Sequence, residues 1–291
     1  MTKQGINRLS FSQRARAYLR SPLSLALLAL VLLFAAATFF SLFYLIGYIL
    51  FKGIPNLTPS LFAWEYNSEN VSMMPAIVTT LEMTGLALLI AVPLGVFTAI
   101  YLVEYAKRGS RLVKVIRMTA ETLSGIPSIV FGLFGMLFFV TFLKWNYSLL
   151  AGAMTLSIMV LPAIMRTTEE AMIAVPDMYR EASFGLGAGR LRTVFRIVLP
   201  SAMPGIAAGV ILAVGRIVGE TAALIYTAGT VAKIPEDLFA SGRTLAVHMY
   251  SLSREGLHTD QAYATAVVLL IVVLCINGLS EWIARKWTKG K

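Results

Sequence analysis

The stretch "GVILAVGRIVGETAALIYTAG", residues 209–229, is apolar enough for the interior of a lipid bilayer. It nevertheless contains two charged residues, Arg216 and Glu220, four positions apart. A charge at the centre of a membrane costs roughly 3 kcal/mol or more, and such residues usually face protein or a water-filled cavity. Residues four apart on one helix are close enough to pair. These charges therefore either hold helices together or act on something that crosses the membrane.

The rest of the chain has the same apolar character. It has 291 residues, of which 57% are hydrophobic and 14% are charged, whereas soluble domains carry about 25% charged residues. A membrane is therefore the expected solvent. The single cysteine, Cys275, excludes a disulfide within the chain. The two histidines, His248 and His258, lack the ligand spacing of a metal site, so no metal is expected.

Six apolar segments are near or above the roughly 20 residues that a membrane-spanning helix needs. They cover residues 23–51, 73–103, 122–143, 148–165, 204–229 and 262–284. The first is much longer than the apolar core of a signal peptide, about 7–15 residues, so it is expected to be retained. We predict an all-α polytopic membrane protein with six transmembrane helices. Its parts are a tail (1–22), a first helix (23–51), a permease-like core (73–284) and a second tail (285–291).

Lysine and arginine concentrate in alternate segments between these spans. One set holds five in the N-terminal tail (Lys3, Arg8, Arg14, Arg16, Arg20), five in 104–121 (Lys107, Arg108, Arg111, Lys114, Arg117), five in 166–203 (Arg166, Arg180, Arg190, Arg192, Arg196) and four in the C-terminal tail (Arg285, Lys286, Lys289, Lys291). The other set holds only Lys52, Lys144, Lys233, Arg243 and Arg254. Because basic residues stay on the cytoplasmic side, both termini are expected there. Topology thus accounts for the net charge of +10, and nucleic-acid binding is not needed to explain it.

Two loops between the spans are more than connectors. In 166–203, a helix is expected to start at Pro176 and end near Gly185. The second half is amphipathic, with apolar residues at helical spacing: Leu191, Val194, Phe195, Val198 and Leu199. Such a basic hairpin can lie on anionic lipid or enter a groove on a partner protein. In 230–261, "TLAVHMYSLS" predicts either a helix at the outer membrane interface or a packed loop.

The charged stretch of the opening paragraph has a stripe of small residues on one helical face. Its members are Gly205, Gly209, Ala213, Arg216, Glu220, Ala223 and Thr227. The Gly205/Gly209 and Gly215/Gly219 pairs permit close approach of another helix, so the stripe is expected to face protein or a cavity. Two hypotheses follow. Either Arg216 and Glu220 pair to hold helices in register, or Arg216 binds an anionic cargo that Glu220 helps to release.

Other polar residues in the spans are weaker candidates for a transport pathway. Glu82 lies near the outer end of the second span and can also simply reach the interface. Ser124 and Ser128 flank Pro127, where freed backbone can line a cavity or serine can cap a helix. The chain contains no P-loop, no H-E-x-x-H and no G-x-S-x-G motif, so it is not expected to be an enzyme.

One pattern resembles a known family. Glu181-Ala182-Ser183, three residues, Gly187, nine residues and Ile197-Val198-Leu199-Pro200 resemble the EAA loop of ABC importer permeases. That pattern has alanine at the position of Ser183. Stretches that are similar to the phosphate importer permeases are "AVPLGVFTAIYLVEYA" (91–106), "SGIPSIVFGLFG" (124–135), "RTTEEAMIAVPDMYREASFGLGA" (166–188) and "GRIVGETAALIYTAG" (215–229). The segment 243–256 resembles the PstA subunit more than PstC.

The resemblance implies one permease subunit of an ATP-driven phosphate importer in the cytoplasmic (inner) membrane. Its implied partners are a PstC-like second permease, a cytoplasmic ATPase dimer that binds ATP and Mg, an external phosphate-binding protein, inorganic phosphate and membrane lipid. No cofactor is expected on this chain itself. Coupling to the ATPase would involve Arg180, Glu181, Ala182, Ser183, Gly187, Leu191 and Phe195. Alternatives are a homodimeric permease, another oxyanion such as sulfate or molybdate, and an uncoupled channel or carrier.

Overall fold

The computed structural model describes residues 22–107 and 109–289, with side chains up to Trp282. The expected tail 1–22 lies outside the described residues except for Pro22. The side chains of the expected tail 285–291 lie outside them as well. The described ranges contain helices and loops but no β-strand, which confirms the all-α class. Within them, five helices are long and apolar enough to cross a membrane, or six if one bent helix pair counts as a span.

Residues up to Phe51 form one compact unit and residues from Lys52 onward form a second. Helix α1, Pro22–Gly53, provides the described part of the first unit. None of the side chains in its most apolar stretch is buried. A helix that exposes apolar side chains all round suits a lipid environment.

The second unit contains two short 3-10 helices, Ile54–Asn56 and Pro59–Phe62, and the remaining α-helices. They are α2 (Met74–Ile100, continued by a π-helical turn Tyr101–Tyr105), α3 (Arg111–Ser124), α4 (Ser128–Gly135, continued by a π-helical turn Met136–Phe142), α5 (Leu149–Ile173), α6 (Asp177–Gly185), α7 (Arg190–Thr193, continued by a π-helical turn Val194–Val198), α8 (Leu199–Val218), α9 (Ala222–Ile225), α10 (Leu245–Glu255) and α11 (Thr259–Lys289). Residues 174–198, which hold α6 and α7, are called the EAA loop below. The end of this unit that carries the EAA loop and the end of α2 is called the basic end.

Helix α5 is the centre of the second unit, although its segment was expected to be the shortest span. It has 25 residues, and 67% of its most apolar window is buried. The expected boundary at residue 165 was wrong because the charged residues that follow continue the helix. Arg166 donates from Nε to Glu170 Oε1 at 3.0 Å, one turn further on, and α5 ends just before Pro176.

The expected third span, 122–143, is broken. Helices α3 and α4 meet at an angle of 104° around Gly125–Pro127. Pro127 is extended, with φ −60° and ψ 143°, and a proline disfavours the helical conformation of the residue before it. The amphipathic α3 instead packs against α5, where Arg117 contacts the Glu169 carboxylate. Only residues 128–142 therefore continue toward the opposite end, which is fewer than a full span needs.

The expected fifth span, 204–229, is also not one helix. Helix α8 ends at Val218, and the four-residue helix α9 starts only at Ala222. The Glu220 carboxylate accepts a hydrogen bond from the Ala223 N–H at 3.0 Å, so it stabilises the start of α9. The predicted stripe of small residues is therefore a single helical face only as far as Arg216.

Two glycines fix the register between α8 and α5. A Cβ atom on Gly209 would lie 2.0 Å from Thr167 Oγ1, and one on Gly205 would lie 2.6 Å from the Ala171 Cβ. Both contacts require the two helices to run in opposite directions. Only glycine permits this approach, because any side chain would overlap the partner helix.

Helix α10 is packed within the protein rather than lying on the membrane surface. Leu245, His248 and Leu252 on one face are all buried. Leu245 and Leu252 belong to an apolar cluster that includes Leu61, Val71 and Met73, and the Leu245 N–H donates to Thr80 Oγ1 on α2 at 2.8 Å. The helix was correctly predicted, but the interpretation as an interfacial helix was wrong because its apolar face is covered by protein.

The Gly209 contact makes a first prediction. Gly209→Ala should lower the stability of the detergent-solubilised chain by about 1–3 kcal/mol, because the added methyl group overlaps Thr167. Thermal denaturation followed by the loss of helical circular dichroism measures this. Gly278→Ala in α11 is the matched control, since nothing lies within 4 Å of its added Cβ. Equal midpoints for both variants would contradict the packing described here.

Buried His248 makes a second prediction. Burial and the charge of Arg243 lower the pKa of His248 from 6.5 to about 3, and the Val71 backbone opposes this. The unfolded chain therefore takes up a proton at higher pH than the folded chain. The stability from neutral His248 is present above pH 6.5 and is lost as the pH falls toward 3. From pH 7.5 to pH 5 we expect a loss of about 2 kcal/mol.

Thermal midpoints at pH 7.5 and pH 5 test this origin of the pH dependence. His248→Gln should flatten the difference, and His258→Gln should retain it. The same pH dependence in wild type and His248→Gln would show that another group is responsible.

Candidate functional site

Arg216 lies level with about the middle of helix α5. Gly209 lies level with Thr167 of the antiparallel α5, and Arg216 is seven residues further along α8. That distance is about 10 Å at 1.5 Å per residue, which places Arg216 level with residue 160. Residue 160 is near the midpoint of α5, Leu149–Ile173.

The side chain of Arg216 is exposed on a face of α8 that the second unit leaves open. The exposed members of this face, called the open face below, are Ser201, Pro204, Ala208, Leu212 and Arg216. Gly215 and Gly219 adjoin it, and a Cβ atom at either position would meet no side chain of the described residues. Gly205 and Gly209, by contrast, already pack on α5. The two glycine pairs that were predicted to permit close approach of another helix therefore lie in two different environments.

Arg216 and Glu220 do not pair. Over the described side chains, no carboxylate oxygen lies within 4.0 Å of Arg216. The helix that was expected to join them ends at Val218, and Glu220 turns its carboxylate to the N–H of Ala223. In this structure the guanidinium is left as an uncompensated cation on the open face.

The structure does not bring the other pathway candidates to Arg216. Glu82 is exposed on α2 beside Met83, whose methyl group would lie 2.9 Å from a Cβ on Gly152. Glu82 is therefore about 12 Å further along the axis than the level of Arg216. Ser128 is half-buried as the first residue of α4. No capping side-chain hydrogen bond is made at the start of α4, and the Ser124 hydroxyl donates to the Ala120 carbonyl within α3.

The EAA loop is held together from within. The hydroxyls of Ser183 and Thr193 lie 2.8 Å apart and are both buried, which links α6 to α7. Gly187 between them has φ +80°, a conformation that other residues adopt only with strain. Ser183, the departure from the EAA pattern, thus has a specific partner in this chain.

The outer surface of the EAA loop is apolar and exposed. Its exposed large side chains are Met178, Tyr179, Phe184, Leu186, Leu191 and Phe195. Glu181 and Ala182 are exposed among them. A groove of about 910 Å³ lies beside this surface and is lined by Tyr179, Phe195 and Pro200 among others. An exposed apolar patch with a groove is typical of a protein interaction surface.

Arg180 points inward, away from this surface. Its Nε and Nη2 donate to Glu104 Oε1 at 3.0 and 2.9 Å. It also donates to the carbonyls of Val175 at 2.8 Å and Met172 at 3.0 Å. Arg180, one of the residues predicted to couple the chain to an ATPase, therefore does not lie on the exposed outer surface of the loop. Sequence reasoning missed Glu104, since it is 76 residues away in the chain and belongs to no motif.

Comparison with known proteins now places the chain in a family. Residues 91–289 match the model of the binding-protein-dependent transport system inner membrane component. The chain belongs to this family. The match includes α5, the EAA loop and the open face of α8, and it makes the chain a multi-pass component of a transport system rather than an enzyme.

Two curated relatives illustrate the similarity. The chain is 38% identical over 214 residues to a probable ABC transporter permease, YqgI, of Bacillus subtilis, with 68% of this chain and 72% of that protein covered. It is 36% identical over 258 residues to the phosphate transport system permease protein PstA of Pasteurella multocida, with 83% and 88% covered.

A solved structure supports the fold independently. The structure of a bacterial alginate ABC transporter in complex with an alginate pentasaccharide-bound periplasmic protein includes a chain that matches 89% of this chain, and 95% of that chain is covered. The TM-score is 0.62 at 19% sequence identity. The chain therefore shares its fold with a chain of this ABC transporter.

Proposed function

We propose that this chain is one permease subunit of an ATP-driven importer of inorganic phosphate. The observation that carries the proposal is the unpaired guanidinium of Arg216, exposed at mid-membrane depth on the open face of α8. Its chemistry agrees with the substrate of the PstA relative, the phosphate transport system permease protein.

The chemistry of Arg216 suits an oxyanion. A guanidinium presents several N–H donors in a planar fork, which matches the oxygens of a phosphate group. In lipid it would be uncompensated, so the open face must meet either protein or a water-filled path. A cation that has no partner in its own chain remains available to a passing anion. Glu220 lies on the adjacent turn and supplies a carboxylate that can compete for Arg216 and keep phosphate binding transient.

The open face also suggests the partner. A second permease chain, PstC-like, is proposed to cover it and to enclose the pathway between the two subunits. The small residues Gly215 and Gly219 would allow that chain to approach closely. Membrane lipid is proposed to surround α1.

Orientation follows from the basic end. The EAA loop and the segment 106–117 that follows α2 carry most of the basic residues at this end, so we place it, with both termini, in the cytoplasm. The apolar surface of the EAA loop is then proposed to dock onto an ATPase dimer that binds ATP and Mg. A phosphate-binding protein would deliver the anion to the opposite end. Transport requires that ATP and phosphate each favour one of two states of the complex.

Mutation of Arg216 tests the proposal directly. In proteoliposomes that contain the whole transporter, Arg216→Gln should lower ATP-dependent phosphate uptake by about 10- to 100-fold, since a charge-assisted contact contributes about 1.5–3 kcal/mol. Arg216→Lys should give intermediate uptake, because lysine keeps the positive charge but lacks the planar fork of N–H donors. Leu32→Ala in α1, an exposed residue proposed to face lipid, is the control and should remain within about two-fold of wild type.

Three outcomes would overturn parts of the proposal. Normal uptake by Arg216→Gln, with reduced stability of the complex, would show that Arg216 only holds helices together. Stronger competition by sulfate or molybdate than by unlabelled phosphate would assign the importer to another oxyanion. Uptake in the absence of the ATPase would favour a channel or carrier.

The docking surface makes a separate prediction. Leu191→Ser should reduce the ATPase retained by the purified permease about ten-fold, because the exposed Leu191 side chain would lose an apolar contact. Co-purification from detergent measures this. Leu257→Ser removes an even more exposed leucine at the opposite end and should have no effect. Full retention by Leu191→Ser would exclude this part of the EAA loop from the interface.

A further inference from the structure

We propose that Arg180 is a positioning residue that transmits movement of the EAA loop to α2 through the carboxylate of Glu104. This inference rests on the proposed ATP-driven import. It differs from the docking role, because Arg180 does not lie on the outer surface of the loop.

The contact is nearly buried and uses most of the donors of the arginine. The side chains of Arg180 and Glu104 are only 13% and 7% exposed, and Nη2 and Nε share one carboxylate oxygen. The remaining donors reach the carbonyls of Met172 and Val175 at the end of α5. Removing one partner would leave a buried charge without compensation, so the two side chains are expected to move together.

A second contact joins the EAA loop to the same turn of α2. The Arg190 guanidinium, at the start of α7, lies 5.7 Å from the centre of the Tyr105 ring. Both helices of the loop therefore touch neighbouring residues, Glu104 and Tyr105. The Ser183–Thr193 hydrogen bond holds these two helices as one body. A displacement of the loop must then displace this turn or break the buried pair.

The turn that receives these contacts is a π-helical one, Tyr101–Tyr105. Such turns interrupt the regular hydrogen-bond pattern and often occur at functional sites. Above it, α2 packs closely on α5, where a Cβ on Gly95 would lie 2.8 Å from an Ile164 methyl group. At the far end of α2, Thr80 accepts the N–H of Leu245 in α10. One helix thus connects the EAA loop to the packed helix at the opposite end of the second unit.

The test uses the whole transporter in proteoliposomes with inorganic phosphate as the probe. Phosphate imported per ATP hydrolysed is measured for Glu104→Gln, Arg180→Gln and the double variant, each normalised to assembled complex. Each single variant should lower this ratio about ten-fold or more while ATP hydrolysis stays within about two-fold. The double variant should be no worse than the single variants, because both remove the same interaction.

Asp177→Asn is the matched control. Asp177 also accepts from Arg180, at 3.2 Å, but it lies on the same helix and is largely exposed. Its loss leaves the contact with α2 intact, so the ratio should remain that of wild type. An unchanged ratio in Glu104→Gln, or a loss of uptake and hydrolysis in equal proportion, would overturn the proposal. If Glu104→Gln does not assemble, Glu104→Asp decides, and it should give an intermediate ratio.

Hydrogen exchange tests this inference independently of whether the transported anion is phosphate. If the wild-type complex hydrolyses ATP but takes up no phosphate, the proposed function fails while the inference can still be judged. ATP should then change the exchange of residues 96–105 in the wild-type complex and in Asp177→Asn, but not in Glu104→Gln. The same ATP-dependent change in Glu104→Gln would overturn the inference.

Discussion

The close approach of α8 to α5 at Gly209 is the contact on which the rest of the arrangement depends. Without water in the bilayer, each segment must satisfy its own backbone hydrogen bonds, so spans are helices and must pack side by side. Contact at Gly209 and Gly205 fixes how far α8 is shifted along α5. That shift places Arg216 level with the middle of α5, two turns beyond Gly209, where its side chain is exposed.

Hydropathy predicted the class of fold because the free energy of burying apolar side chains in lipid depends on composition. It failed where local backbone chemistry decides the outcome. Pro127 breaks the third span although its neighbours are apolar, and α8 stops at Val218 although the apolar run continues. Helix α5 extends past its apolar segment because charged residues can pair along a helix that leaves the membrane. The mean hydropathy of a segment does not show where these helices begin or end.

The candidate site was predicted unevenly for a similar reason. Arg216 could be found because a charge in an apolar segment is conspicuous, yet its pairing with Glu220 assumed that one helix continues through both residues. The EAA pattern located the loop but not the direction in which its side chains point. Arg180 was grouped with Glu181 by proximity in sequence, whereas the structure turns Arg180 to Glu104 and leaves Glu181 exposed. Such long-range contacts depend on tertiary packing, which spacing does not encode.

The Ser183–Thr193 hydrogen bond has a consequence for how this loop can diverge. Each hydroxyl is buried, so replacing only one by an apolar residue leaves the other with a poorer partner. Two apolar residues of suitable size would remove the cost for both. In a lineage, the two positions are therefore expected to change as a pair. A permease with the EAA alanine at the position of Ser183 would then carry an apolar residue at the position of Thr193. Exchanging one helix of the loop between that permease and this chain would pair a buried hydroxyl with an apolar side chain.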